Sequence, residues 1–303
     1  MKIGVIGIGA VGGYFGAKLA NAGADVTFIG REKTVEYIEK NGIKVKSFKG
    51  DFEIKKPKIA HPFEAIKDVD IILFCVKSYH TKKLAEALKK RISDKAVIIS
   101  MQNGVENEKV LADIFGAQRV IGAVVYVSAA VPKPGIIKHS AYGKFVLGEL
   151  SGEITPRLRK IEKFFLDHGI PVGVTDDINK ALWKKLILNI SYNGFTSIIN
   201  NALIKYPEIP EAKECFYEVM NEAKTIANKE GINITEEDLQ DLMKVTESRG
   251  FSTFKTSTLQ DIEAGKQLEI DDMQGIIIKT AQKHNVDVPM NKLLYSLLKL
   301  KYF

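Results

Sequence analysis

The chain has 303 residues, enough for two domains of ordinary size, with 45% hydrophobic and 27% charged residues. That composition excludes collagenous, low-complexity and wholly disordered chains and supports a buried core. Lys and Arg number 44 against 37 Asp and Glu, a net charge of +7, yet the basic residues are scattered, with no long block and no zinc-finger or RNA-motif signature. Small anions are therefore expected as ligands and nucleic acid is not.

Cys75 and Cys215 are too few for a disulfide framework, and neither has a Cys or His neighbour in sequence that would make a metal site. Both are expected to be reduced and buried, and no metal is expected. No apolar run approaches the roughly 20 residues of a membrane span, and a strand follows Met1 directly, leaving no room for a signal peptide. The expected location is the cytoplasm, without a membrane partner.

The first half alternates short apolar runs with amphipathic stretches, as strands joined by crossover helices do in a doubly wound sheet. Strands are expected at Lys2–Ile8 and Asp25–Ile29, joined by a helix over Gly12–Ala22 that stops at Gly23. Ile43–Ser47 and Asp51–Ile54 read as an inserted pair. The continuously apolar Val69–Val76 reads as a central strand, and Val97–Met101 and Arg119–Val127 have the same character. Ile136–Ser140 and Lys144–Leu147 read as two shorter strands, followed by a helix over Pro156–Asp167 and the segment Ile170–Val174.

Beyond Val174 the texture turns helical. Asp176 or Asp177 can cap a helix running to about Asn200, and Pro207–Lys229 ends near Gly231. Thr235 with Asp238 starts a capping box for a helix reaching Arg249, and Asp271–His284 and Met290–Tyr302 complete the set. The fold class is α/β: a doubly wound Rossmann-type dinucleotide-binding domain over 1–174, then an all-helical substrate and catalytic domain over 175–303. A cleft between them is the natural place for a site.

Gly7-Ile8-Gly9-Ala10-Val11-Gly12 is a GxGxxG motif directly after a predicted strand and opening a predicted helix. The first glycine permits the tight turn, the second lets backbone approach a pyrophosphate, and the third permits close packing of helix on strand. After the second strand the chain reads Gly30-Arg31-Glu32. A guanidinium at Arg31 can grip a 2′-phosphate in two places, which points to NADP(H); a turn shifted by one residue would offer the Glu32 carboxylate instead. Lys77 and Asn103 follow apolar strands, where ligands of open α/β sheets bind, although a solvated Lys and a turn-forming Asn-Gly explain them equally well.

Lys185, Asn189 and Asn193 share one helix face, flanked by Leu182, Leu186 and Ile190. An ammonium and two amides among leucines are costly to bury unless something pairs with them, so a ligand facing this line is favoured and Lys185 becomes a candidate proton donor. Lys184, in line with Lys180, is expected to be solvated. Further on, Ser257 with Gln260 forms a capping box, and a serine hydroxyl beside helix N–H groups can also hold a carboxylate; Glu269 can accept a hydrogen bond or orient the lysine. The histidines His61, His80, His139, His168 and His284 read as surface turns or helix edges.

Taken together, Gly7-x-Gly9-x-x-Gly12, Arg31, Val76-Lys77, Gln102-Asn103-Gly104, Lys185-x-x-x-Asn189-x-x-x-Asn193, Ser257 with Leu259-Gln260-Asp261, and Glu269-Ile270-Asp271 follow one order and spacing. In these motifs the chain resembles the ketopantoate reductase (2-dehydropantoate 2-reductase) family over essentially its whole length. The resemblance implies NADPH-dependent reduction of 2-dehydropantoate to (R)-pantoate, a step toward pantothenate and coenzyme A. It implies Lys185 as general acid and Glu269 as the active-site glutamate. Asn103, Asn189, Asn193 and Ser257 would bind the small 2-oxo acid, and Gly7 through Gly12 (with Ile8, Ala10 and Val11), Arg31, Lys77, Asn103 and Glu269 the cofactor. It requires no metal and allows a homodimer. The chain departs from the family's commonest pattern at Thr256 and Thr258, where serine and methionine are frequent, and at Gln274, where asparagine often precedes the glycine. A related branched 2-oxo acid is the alternative substrate, and an NADP-sensing protein without turnover the alternative function.

Overall fold

The computed structural model describes residues 1–203, 205–250 and 255–303. The chain divides into two units, Met1–Ile178 and Asn179–Phe303. The first runs β1 (Lys2–Ile6), α1 (Ala10–Asn21), β2 (Asp25–Ile29), α2 (Glu32–Asn41), β3 (Ile43–Ser47), β4 (Phe52–Ile54), β5 (Lys58–Ala60), β6 (Ile71–Phe74), α3 (Thr81–Lys89), β7 (Val97–Ser100), α4 (Asn107–Phe115), β8 (Val120–Lys133), β9 (Ile136–Glu149), α5 (Pro156–Asp167) and β10 (Val172–Val174). Helices follow: α6 (Ile178–Ile199), α7 (Pro210–Lys229), α8 (Glu236–Gly250), α9 (Ser257–Glu263), α10 (Gln274–His284) and α11 (Pro289–Tyr302).

The strands form one sheet in the order β4-β3-β9-β8-β7-β6-β1-β2-β5, with β10 also paired to β9. The stretch β5-β2-β1-β6-β7-β8 is parallel throughout. Chain order reverses between β1 and β6, so the switch point of the doubly wound sheet lies where the Gly7–Gly12 turn leaves β1. β6 is buried along its whole length and β1 everywhere except Lys2, which is why these segments read as unbroken apolar runs. One face of the sheet packs on α1 and α5 through Tyr14, Phe15, Leu158 and Phe165, the other on α3 and α4 through Leu88, Leu111 and Phe115.

Several expectations need correction here. The first strand stops at Ile6 and helix α1 starts at Ala10, because Gly7 has a φ of +96° and turns the chain at once. The two short strands expected at 136–140 and 144–147 are a single strand of 14 residues. Its register against β8 shifts near Ser140, and Tyr142 and Gly143 have positive φ, so a bulge takes up the irregularity that reads as a break. His139 is not at the surface: it is 3% exposed, hydrogen-bonded to Ser47 Oγ at 2.9 Å and packed on Tyr14 with ring centroids 4.1 Å apart. Cys75 and Cys215 are free thiols but half-buried.

Among the described residues the second unit holds helices and turns. The capping box of α8 forms as read: Asp238 N donates to Thr235 Oγ1 (3.2 Å) and Thr235 N to Asp238 Oδ2 (2.9 Å). The same carboxylate takes Lys180 (2.8 Å) and Lys184 (2.7 Å) from α6, so Lys184 is paired and not merely solvated. These partners outweigh the desolvation of Asp238 and hold its carboxyl well below the usual range. The helix expected from Asp271 begins at Gln274, residues 270–273 being turns. No helix among the described residues is long and apolar enough to cross a membrane.

One buried acid of the first unit is poorly satisfied. Glu108, in the first turn of α4, is 4% exposed, and neither carboxyl oxygen meets a partner in good hydrogen-bond geometry among the described residues. Burial pushes its pKa up to about 7, and the nearby Ser100 hydroxyl offsets only part of that. A folded pKa raised above the unfolded value gives stability that is intact at acid pH and falls as pH rises toward 7, by about 3 kcal/mol once the carboxyl is ionised. Glu108→Gln removes this titration. Thermal melts are expected to coincide for the two proteins near pH 4.5 and to separate by several degrees in favour of Glu108→Gln at pH 8; melts offset equally at both pH values would show that Glu108 is already ionised when folded.

Candidate functional site

The C-terminal ends of β1, β2, β6 and β7 lie side by side in the sheet, each pinned to its neighbour by backbone bonds: Gly7 N to Ile29 O (3.2 Å), Cys75 N to Ile6 O (2.9 Å) and Met101 N to Phe74 O (3.0 Å). Here the three glycines of the motif differ. A Cβ on Gly7 would lie 2.8 Å from Cys75 O, and the positive φ also excludes one. On Gly12 it would lie 2.2 Å from Gly7 O and 2.9 Å from Cys75 Cβ, so this glycine lets α1 sit against its own strand. On Gly9 it would meet nothing within 4 Å. Packing does not require glycine there; a ligand approaching the backbone would. Gly9 is also the N-cap of α1 and supplies no capping side chain, which leaves the helix N–H groups available to an anion. Ile8 and Val11 point the other way and pack on the core. A pyrophosphate fits this cradle.

Arg31 stands at the exposed N-cap of α2, just past β2, its carbonyl accepting from Thr34 N (2.8 Å) and Val35 N (3.0 Å). Its charge, with that of Lys83, adds to desolvation in lowering the pKa of His80. Lys77 is half-buried in extended conformation after β6, and Asn103 is half-buried before Gly104, whose φ of +98° makes the expected turn.

In the second unit, α6 is buried on most sides. Leu182, Leu186, Ile187 and Ile190 are all at or below 5% exposure, whereas Lys185 and Asn189 are half-buried and Asn193 is 8% exposed. The polar line is therefore partly open. Asn189 and Asn193 line a narrow recess, of about 10 Å³, with Thr258, Glu269, Ile270, Met273, Gln274 and Leu298. Asn193 Nδ2 donates to Thr258 Oγ1 (3.2 Å), and Gln274 Nε2 donates to Ile190 O (3.1 Å), fastening α9 and α10 to α6 on either side. Lys185 lies one helical turn before Asn189 on the same face.

Ser257 differs from expectation. The cap of α9 is Thr256, whose hydroxyl accepts from Leu259 N (3.2 Å) and bonds Thr196 Oγ1 (3.0 Å), while Gln260 Nε2 reaches Lys255 O; Ser257 is the exposed first residue of the helix. Thr258 and Gln274 line the recess, though in the sequence they stand out only as departures from a pattern. Asp272, beside the recess, has its pKa pushed up to about 6 by burial and then by Glu269 and Asp271, so this corner is acidic.

A six-strand parallel stretch with a glycine cradle at its switch point, followed by a helical unit with a polar recess, defines a dinucleotide-binding oxidoreductase architecture. The family models described as "Ketopantoate reductase PanE/ApbA" and "Ketopantoate reductase PanE/ApbA C terminal" match residues 3–152 and 177–302. The chain belongs to the ketopantoate reductase family and is an oxidoreductase. It is 32% identical to the 2-dehydropantoate 2-reductase of Pyrococcus abyssi (strain GE5 / Orsay), over 99% of this chain and 98% of that one. The crystal structure of 2-dehydropantoate 2-reductase from Geobacter metallireducens GS-15 superimposes with a TM-score of 0.92 at 30% identity, covering 99% and 100% of the two chains. A ternary structure of D-mandelate dehydrogenase with NADH and anilino(oxo)acetate shares the fold at a TM-score of 0.91 and 23% identity, covering 100% and 98%.

The two glycines give opposed expectations. Gly12→Ala forces a backbone atom to move and should lower the melting temperature by several degrees, whereas Gly9→Ala should leave it within about 1 kcal/mol of stability yet weaken dinucleotide binding. Calorimetric titration alongside thermal melts checks both, and a Gly9→Ala protein that binds as the parent does would remove the cradle.

Proposed function

We propose that this chain reduces 2-dehydropantoate to (R)-pantoate with NADPH, in the cytoplasm and as a homodimer, on the path to pantothenate and coenzyme A. The observation that carries the reading is the recess where Asn189, Asn193 and Glu269 converge, one helical turn from Lys185 on the same face of α6. The family and its named 2-dehydropantoate 2-reductases support it.

NADPH, when bound, supplies the hydride that the ketone carbon takes up. Lys185 gives its ammonium proton to the ketone oxygen, which becomes the alcohol, and is recharged from solvent because its side chain is half-buried and not sealed. Asn189 and Asn193 donate amide hydrogens to substrate oxygens, their alignment enforced by helical periodicity and, for Asn193, by the bond to Thr258. Ser257, exposed beside the first N–H groups of α9, takes the substrate carboxylate. Glu269 accepts a hydrogen bond from a hydroxyl group and steadies the Lys185 ammonium. In the first unit Gly7, Gly9 and Gly12, with the backbone of Ile8, Ala10 and Val11, would hold the pyrophosphate. Arg31 and Lys77 would hold the 2′-phosphate, and Asn103, like Glu269, would meet both cofactor and substrate.

A second reading keeps the chemistry and changes the acid. Thr258 puts a hydroxyl into the recess and spends it on Asn193, so the wall differs in polarity and bulk from the methionine common in the family. NADPH oxidation with 2-dehydropantoate beside a series of smaller 2-oxo acids, repeated with NADH, separates the two readings, and tight NADPH binding without turnover of any acid would favour a sensor.

Lys185→Ala is expected to lower kcat by at least about a hundredfold, the low end for a positioned acid, in steady-state assays at saturating substrate. An unchanged kcat removes the lysine from its role. Arg31→Ala should weaken NADPH far more than NADH, because only NADPH carries the phosphate that the guanidinium grips; equal losses in fluorescence titrations would contradict the cofactor preference.

A further inference from the structure

The loops after β6 and β7, which carry Lys77 and Asn103, are joined by a chain of buried side chains that the reading above does not use. Gln102 Nε2 donates to Val76 O (2.9 Å) and to Thr81 Oγ1 (2.6 Å). Thr81 Oγ1 donates to Asn107 Oδ1 (2.8 Å). Asn107 Nδ2 donates to Asn103 O (2.7 Å) and to Ser78 Oγ (3.1 Å). Thr81, Gln102 and Asn107 are 2%, 7% and 5% exposed.

The direction of every bond is forced. Asn103 O and Val76 O are carbonyls and can only accept, so the amide nitrogens of Asn107 and Gln102 must face them. Asn107 Oδ1 then faces Thr81, whose hydroxyl must donate, leaving its lone pair for Gln102. Only one arrangement of the chain satisfies both ends, and it ties Val76 and Ser78, on either side of Lys77, to the peptide of Asn103. Among the described residues Gln102 Oε1 is buried without a partner. The amide is thus oriented for the two loops at the expense of its own satisfaction, which a purely space-filling residue would not need.

We propose that Asn107, relayed through Thr81 and Gln102, is a positioning residue that sets the Lys77 and Asn103 loops in their cofactor-binding conformation. The proposal rests on the dinucleotide reading of the first unit. Its signature is cofactor affinity that follows the presence of an N–H or O–H donor at residue 107.

Asn107→Asp tests it directly. At pH 8 the carboxylate sets an acceptor against Asn103 O and competes for the Ser78 hydroxyl, which otherwise donates to Asn103 O (3.2 Å), so the NADPH Kd should rise about tenfold over wild type. Toward pH 5.5 the acid protonates, its O–H can donate to Asn103 O, and the ratio of variant to wild-type Kd should fall to about threefold or less, with kcat at saturating NADPH changed less than Kd at either pH. Thr81→Val and Thr81→Ser form an independent pair that decides the matter should Asn107→Asp lose its cooperative melt: the valine, without a hydroxyl, should weaken NADPH about tenfold while the serine restores it. A Kd ratio that does not vary with pH, or Thr81→Val and Thr81→Ser weakened alike, overturns the proposal. A wild-type protein that binds neither NADPH nor NADH overturns it together with the dinucleotide reading, whereas binding without turnover of any 2-oxo acid fails the substrate reading alone and leaves this test valid.

Discussion

The first unit depends on backbone lying against backbone where β1 ends. A hypothetical Cβ on Gly12 would sit 2.2 Å from Gly7 O and one on Gly7 would sit 2.8 Å from Cys75 O, so the turn, helix α1 and the end of β6 meet too closely to admit a side chain at either glycine. That closeness aims the uncapped start of α1 at the line formed by the ends of β1 and β6. An anion-binding place made of N–H groups needs no charged side chain and does not titrate in the physiological range.

The second unit meets a different demand, because α6 is buried round most of its circumference yet carries lysines and asparagines. Each polar group is dealt with separately. Lys180 and Lys184 reach one carboxylate, Asp238, which also caps α8, so a single acid compensates two buried-side charges and starts a helix. Ser191 and Thr196 return their hydroxyls to carbonyls of the helix itself. Asn193 is satisfied by Thr258. Lys185 and Asn189, on the same face as Asn193, are half-buried, so this part of the helix is partly open.

How much of this was legible in the sequence depends on whether a signal was local. Pro156–Asp167 carries its own start, a threonine cap followed by proline, and appears with the expected bounds. The crossover helices α2, α3 and α4 are visible only as amphipathic stretches, because none has a side-chain cap and each is stabilised by packing on the sheet. The run Thr256-Ser257-Thr258 offers adjacent hydroxyls that could each cap a helix, and Thr196, sixty residues earlier in the chain, engages the first of them. His139 looks polar beside Lys138 and Ser140, but strand alternation puts it on the inward side with Ile137. The motif residues were legible because their types are rare at such spacing; Thr81 and Asn107 were not, since single hydroxyl and amide residues at helix starts are ordinary until the carbonyls they reach are known.

The two kinds of support explain why the residues that hold the loops after β6 and β7 are polar and buried whereas those that hold the recess are partly apolar. A loop at a strand end has no helix ladder to fix its peptides, so its carbonyls must be engaged by side chains, and Val76 O and Asn103 O are engaged by Gln102 and Asn107. A helix fixes its own peptides, so the recess along α6 needs only neighbours that hold it in place: Gln274 reaching Ile190 O, Thr258 reaching Asn193, and Met273 and Leu298 closing the wall. Removing a polar group from the first arrangement frees a peptide to rotate, whereas altering a wall residue of the second changes shape and polarity while the helix keeps its course. On the proposed reading, loss of loop order would be felt by any dinucleotide alike. On the proposed reading, a change in the recess would be felt by one acid more than another, so substrate preference could diverge there while the cradle stays the same.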